Sequence, residues 1–220
     1  MAKFKINKTK INKTKINHKK TRKNKATSLY INPSIYQKKG KYGMGTYTSK
    51  MLPVGTVILH EPPNNIPDDI NADYPFKLIK HLLKTKHEDF ISMVPTELDE
   101  TINDYDTIKE RHLQYLPELS KDDAMLYFAK YKRNAFSFGD HPAILFHATR
   151  MNHSCEPNIT YYKNGNRMTF KTIRPIQAGD ELFDSYINYK SLSKPERQEI
   201  LLQRYGFQCN CSRCAAEIDE

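Results

Sequence analysis

The chain has 220 residues, 38% of them hydrophobic, enough for one domain, or one domain with an insertion, to bury a core without covalent staples. Its net charge of +10 suggests a nucleic-acid binder at first sight, but residues 1–25 hold eleven of the 35 basic residues and none of the 25 acidic ones, so the remainder is nearly neutral. No run of eighteen apolar residues occurs, which excludes a membrane-spanning helix and predicts a soluble protein.

The chain opens on KFKINKTKINKTKINHKKTRKNK, in which a KINKT unit repeats before it decays. It has neither a long apolar stretch nor a small-residue cleavage site, so it does not read as a secretory signal. Like charges at every second or third position resist compaction, and residues 1–27 are expected to be a disordered basic tail. Such a tail can contact phosphate or an acidic protein face through counterion release. A plain solvated extension is the alternative.

From Ser28, the stretches SLYINPSIYQ and GKYGMGTYTSKMLPVGTVILHE alternate in the manner of strands, with turns at Gly40, Gly43 and Pro53-Val54-Gly55, and predict two or three short strands. After EPPNNIPDDINAD the pattern changes. Phe76, Ile79, Leu82, Leu83 and Phe90, then Ala124, Tyr127, Phe128 and Tyr131, recur at helical spacing, which predicts a helical insertion over about 73–133. Strand signals return at NAFSF. Further on, NITYYKNGNRMTFKTIRPI sets Ile159 and Tyr161 across an Asn164-Gly165-Asn166 turn from Met168 and Phe170, a β-hairpin. IQAGDELFDSYI reads as a turn and a strand. Ser193 as cap, Pro195 in the first turn and Gly206 as the stop predict a helix through ERQEILLQRY.

Four cysteines without an export signal point to metal rather than to disulfides. Cys209, Cys211 and Cys214 form C-x-C-x-x-C, three thiolates on one short loop, and tetrahedral zinc then lacks one ligand. Cys155, in RMNHSCEPN, is the remaining cysteine and is expected to supply it, pinning the C-terminal segment against that loop. Four inert thiols, with Cys155 buried as a small apolar residue, are the plain alternative.

GMG, RMNHSCEPN, AGDELFDSYI and CNCSRC, in that order, resemble the SET-domain lysine methyltransferases, and YGF before the cysteines with SYI after the acidic turn is most similar to their SMYD (SET and MYND) branch. The resemblance covers residues 28–214. It implies an α+β fold, mainly β with an α insertion: small twisted sheets around a threaded C-terminal segment, with a post-SET zinc loop. Its parts are a SET domain over 28–205 and a Cys-rich zinc segment over 206–220. The MYND cysteines of that branch are missing from residues 60–130, so the helical insertion takes their place, and substrate choice does not carry over.

The resemblance also implies roles. Gly43, Met44 and Gly45 correspond to the turn that approaches the methionine end of S-adenosylmethionine, where a Cβ would obstruct. Asn152 and His153 match the cofactor-binding pair, Asn134 an asparagine near the cofactor, and Phe207 an aromatic that covers the adenine. Tyr186 matches the tyrosine at the base of the lysine channel and Tyr205 one that lines it; these two are the expected catalytic residues. Asp180, Glu181 and Asp184 read as turn and surface residues, Asp184 being the one able to position a basic substrate. The expected function is methyl transfer from S-adenosylmethionine to protein lysines on histone or histone-like tails, with structural zinc and with the chain's own tail lysines as further targets. The alternative is an inactive SET-fold module carried to chromatin or nucleic acid by the basic tail. Nuclear or chromatin-associated action is expected, with contact to nucleic acid or nucleosomes through the tail and none to membranes.

Overall fold

The computed structural model describes residues 28–66, 71–102 and 105–217; the basic tail over 1–27 lies outside the described residues. The N-terminal half of the sheet system is β1 (Tyr30–Ile31), β2 (Ile35–Gly40), β3 (Gly43–Thr48) and β4 (Val57–Glu61). Here β2 and β3 form an antiparallel hairpin in which Gly40 pairs with Gly43, and Gly43 takes φ +88°, a conformation that suits glycine. The sequence signalled two or three strands where four form.

The insertion is helical as expected. It comprises α1 (Tyr74–Thr85), α2 (His87–Ile91), α3 (Lys109–Tyr115) and α4 (Lys121–Asn134). Its apolar face is its own core: Tyr74, Phe76, Leu78, Ile79, Leu82 and Phe90 are buried together with Met125 and Tyr131. Phe76 and Phe128 stack with centroids 5.1 Å apart. Ser120 caps α4 by accepting from the Asp123 N–H at 3.1 Å.

Beyond α4 the chain forms the hairpin β5 (Ala135–Phe138) and β6 (His141–Ile144), a 3-10 turn over Ala148–Arg150, and β7 (Asn152–His153). The NGN signal yields β8 (Ile159–Asn164) and β9 (Arg167–Thr172), paired in the register Tyr161 to Phe170, with Gly165 at φ +59° in the two-residue loop. The main sheet has the order β1-β4-β9-β8, all antiparallel. Its inner face packs Ile58, Leu59, Met168 and Phe170 against Leu52, Met151 and Leu182.

The strand expected in DELFDSYI shrinks to β10 (Phe183–Asp184), which pairs parallel with β7. Just before it, the acidic turn bonds to β3: Thr48 N–H donates to Asp180 O at 3.1 Å and Leu182 N–H to Thr46 O at 2.7 Å. The glycine-bearing strand, the RMNHSC segment and the SYI segment are thereby held side by side. Last come α5 (Lys194–Tyr205) and the short α6 (Ser212–Ala216). A capping box between Ser193 and Glu196 starts α5, and Gly206 at φ +77° ends it.

Candidate active site and metal centre

The four cysteine sulfurs lie within 4.8 Å of one another and all four residues are buried. Zn–S bonds of about 2.3 Å in a tetrahedron put sulfurs roughly 3.8 Å apart, so the donor set and its closure fit one structural zinc with no open position. Two of the four show how crowded the sulfurs are. Cys209 is pulled well below its ordinary value, chiefly by a hydrogen bond from Cys155, while that bond and burial hold the Cys155 thiol well above its own. One thiolate thus suppresses ionisation of its neighbour, and a dication reverses that opposition. Arg197 of α5 is wholly buried beside the cluster, its guanidinium 3.7 Å from Cys214 Sγ and paired with Glu217. Leu201 and the flanking Tyr205 and Phe207 complete the apolar wall around the sulfurs.

His153 joins this centre to the next. Its Nδ1 accepts the backbone N–H of Tyr186 at 3.0 Å, so Nε2 carries the ring proton and points at Cys155 Sγ, 3.3 Å away. The ring is buried, with the Tyr186 and Phe207 centroids 5.3 and 6.0 Å from its own.

A cavity of about 590 Å³ opens beside these residues. It brings together Gly43, Met44, Asn134, Asn152, His153 and Phe207, and Tyr186 and Tyr205 line it as well. Gly45 does not reach the lining. It faces inward, where a Cβ would lie 2.1 Å from Glu181 Oε1 and 2.9 Å from Asn152 Nδ2. Asn152 Nδ2 donates to Glu181 Oε1 at 2.7 Å and to Met44 O at 3.2 Å, and Tyr47 OH donates to Glu181 Oε2 at 2.8 Å. Glu181 is therefore a half-buried brace between β3 and β7 rather than a surface acid.

Sequence reasoning missed one wall of this cavity, which the insertion supplies through Ser92–Thr96. That segment is held from α4. The buried Lys130 ammonium donates to Ile91 O at 3.0 Å, to Pro95 O at 2.6 Å and to Met93 O, while Asn134 Nδ2 donates to Val94 O at 2.6 Å. No periodicity marks a loop whose role is to offer carbonyls, although a lysine on the apolar side of α4 is a signal that was available. Tyr42, Arg150 and Asn210 also line the cavity and were not singled out.

A second cavity, of about 690 Å³, adjoins the first at the same tyrosines. Arg133, Asn134, Thr149, Tyr186 and Tyr205 are common to both linings, and the second adds Phe136, Tyr161, Asp184 and the cations Lys132 and Arg204. Tyr186 OH donates to Met151 O at 2.8 Å and Tyr205 OH to Tyr186 O at 3.2 Å, with their rings 5.0 Å apart. Burial pushes the Tyr186 phenol well above its ordinary value, so it stays protonated. Asp184, expected at the surface, is buried at 5% exposure.

Residues 43–187 match the SET domain family model. The chain belongs to the SET-domain family. It is 31% identical over 192 residues to a SET domain-containing protein of Acanthamoeba polyphaga mimivirus, covering 79% of this chain and 74% of that one. It is 28% identical to the histone-lysine N-methyltransferase set5 of Schizosaccharomyces pombe, over 80% of this chain and 48% of that protein. The solved structure of Rubisco LSMT bound to AdoMet superposes with a TM-score of 0.61 at 19% identity, covering 81% of this chain and 52% of that one. This establishes the likeness of fold, and the chain spans about half the length of the latter two proteins.

Proposed function

We propose that this chain is an S-adenosylmethionine-dependent protein-lysine N-methyltransferase. The observation that carries the reading is the pair of cavities sharing Asn134, Tyr186 and Tyr205 as a common wall. One side suits a methyl donor, the other the side chain that accepts the methyl group. Gly43, Met44, Asn134, Asn152, His153 and Phe207 would hold the cofactor, and the four-cysteine centre would fix the segment that carries Phe207.

S-adenosylmethionine supplies an electrophilic methyl group. The chain's own task is to present a neutral amine to it. A lysine with an ordinary pKa near 10.4 costs about 4.6 kcal/mol to deprotonate at pH 7, and an aromatic enclosure lowers that cost by disfavouring the ammonium. The Tyr186 hydroxyl proton is committed to Met151 O, which leaves the phenol oxygen free to accept from the amine and to aim its lone pair. Tyr205, bonded to the Tyr186 carbonyl, fixes the facing ring.

For the substrate, a histone or histone-like tail is the reading that the name of the fission yeast relative supports. The lysines of residues 1–25 are second candidates, since a tethered segment is present at high effective concentration. The test is incubation with labelled S-adenosylmethionine, alone and with histones or nucleosomes, beside Tyr186→Phe and a tail deletion. Label on histone supports the first substrate and label on the tail the second. Absence of S-adenosylmethionine binding by the zinc-loaded chain overturns the proposal.

A further inference from the structure

The Asp184 carboxyl is buried and receives a hydrogen bond from the backbone N–H of Ser185. Among the described residues no Lys, Arg or His lies within salt-bridge distance of it. Its charge is felt instead by three phenols, those of Tyr161, Tyr186 and Tyr205. These four residues line the second cavity together, and among the described residues Asp184 is the one acid in that lining.

Among the described residues the same lining also holds three cations, Lys132, Arg133 and Arg204, none of them paired with Asp184. Arg133 is engaged with Asp99 through contacts of 2.8 and 3.0 Å, while Lys132 and Arg204 are exposed at the rim. A buried carboxylate with no counter-charge is a costly arrangement, and removing one partner of a buried pair leaves this state behind. The site is built as one half of such a pair.

We infer that Asp184 is the counter-charge for the ammonium of the incoming lysine, so that the second cavity selects a cationic side chain by charge and not by aromatic shape alone. This rests on the proposed lysine methyltransferase reading. On entry the ammonium completes the pair; its proton then passes to the Asp184 carboxylate, which leaves both groups neutral in the enclosure, and the amine N–H groups donate to the tyrosine oxygens. Burial places the Asp184 carboxyl at about 7, so the pairing form is the majority species above neutrality.

The test is binding rather than turnover. The full zinc-loaded chain, saturated with S-adenosylhomocysteine at about pH 8, where the carboxylate is ionised, is titrated with Nα-acetyl-lysine amide and with Nα-acetyl-norleucine amide, followed by NMR. The two ligands differ in the ammonium alone. The parent is expected to favour the lysine amide by about tenfold or more, and Asp184→Asn to reduce the preference to near unity with cofactor affinity intact. Asp184→Ala is a second neutral variant should the first fail to fold. A preference that persists in either folded variant, or a parent that shows none, overturns the inference. Loss of S-adenosylhomocysteine binding in the parent would instead overturn the methyltransferase reading on which it rests.

Discussion

His153 Nε2 lies 3.3 Å from Cys155 Sγ while its Nδ1 accepts the Tyr186 N–H, so one imidazole couples the four-sulfur centre to the proposed catalytic tyrosine. An N–H aimed at a metal-binding thiolate tunes the ligand and fixes its orientation. Replacing His153 by Ala is expected to weaken zinc retention by roughly 10–100-fold. It should also lower cofactor affinity, because the Tyr186 backbone loses its acceptor. Competition with a chromophoric chelator measures the first effect and a cofactor titration the second; unchanged zinc retention would contradict the coupling.

Zinc removal should disorder the segment from Phe207 onward. Metal analysis is expected to give one zinc per chain in the parent and none in Cys209→Ser. The variant and the chelated parent should both lose the cofactor site, since Phe207, Cys209 and Asn210 line it. Methyl transfer that survives complete metal loss would refute a structural ion.

Tyr186→Phe deletes the hydroxyl bonded to Met151 O. Stability should fall by about 1 kcal/mol, the worth of one hydrogen bond, whereas methyl transfer should fall by roughly 100-fold or more, as when an orienting polar group is removed from a reaction centre. Equal small losses in both would make the residue merely structural.

Asp184 gives a pH signature. Its folded value of about 7 lies above the ordinary 3.8, so folding favours the protonated acid. That contribution is fully present below the unfolded value and is lost as pH rises through about 7. Asp184→Asn should therefore be more stable than the parent above neutrality, by a few kcal/mol at most, with the difference shrinking on acidification. Denaturant melts across the pH range measure it, and a constant offset would contradict an ionising Asp184.

Lys130→Met leaves three carbonyls of the 91–95 segment without their donor. The expected cost is about 3 kcal/mol, as when one member of a buried charged network is removed. Because Ser92–Thr96 walls the first cavity, cofactor affinity should fall as well. Retained affinity in a destabilised variant would show that the wall forms without its clamp.

The elements legible in the sequence are those whose signals are local. Asn164-Gly165-Asn166 announced the β8–β9 hairpin, and Ser193, Pro195 and Gly206 bounded α5 to within a residue. The four cysteines announced their own meeting, since each thiolate had few partners to choose from. By contrast, β7 and β10 are two residues each and pair across a long stretch of chain, too short for alternation to register. The burial of Asp184 and the bracing by Glu181 depend on that pairing and on the bonds from β3 to the acidic turn, so neither could be read from nearby residues. Glycine at position 45 was anticipated for the approach of a cofactor; in the structure, Glu181 and Asn152 occupy the space its Cβ would need.

The first cavity sets Gly43 and Met44 across from Phe207, Cys209 and Asn210. Its two sides thus lie far apart in the order in which a ribosome delivers this domain. At synthesis rates of about 5–20 residues per second, the emerging chain holds its first strands and the insertion for on the order of ten seconds before the opposite wall exists. Through that interval the nascent protein has no enclosed pocket, and enclosure coincides with delivery of the last cysteine and capture of its ion. Closure of that pocket therefore waits on the emergence of Cys214 and on the zinc that the four sulfurs fit.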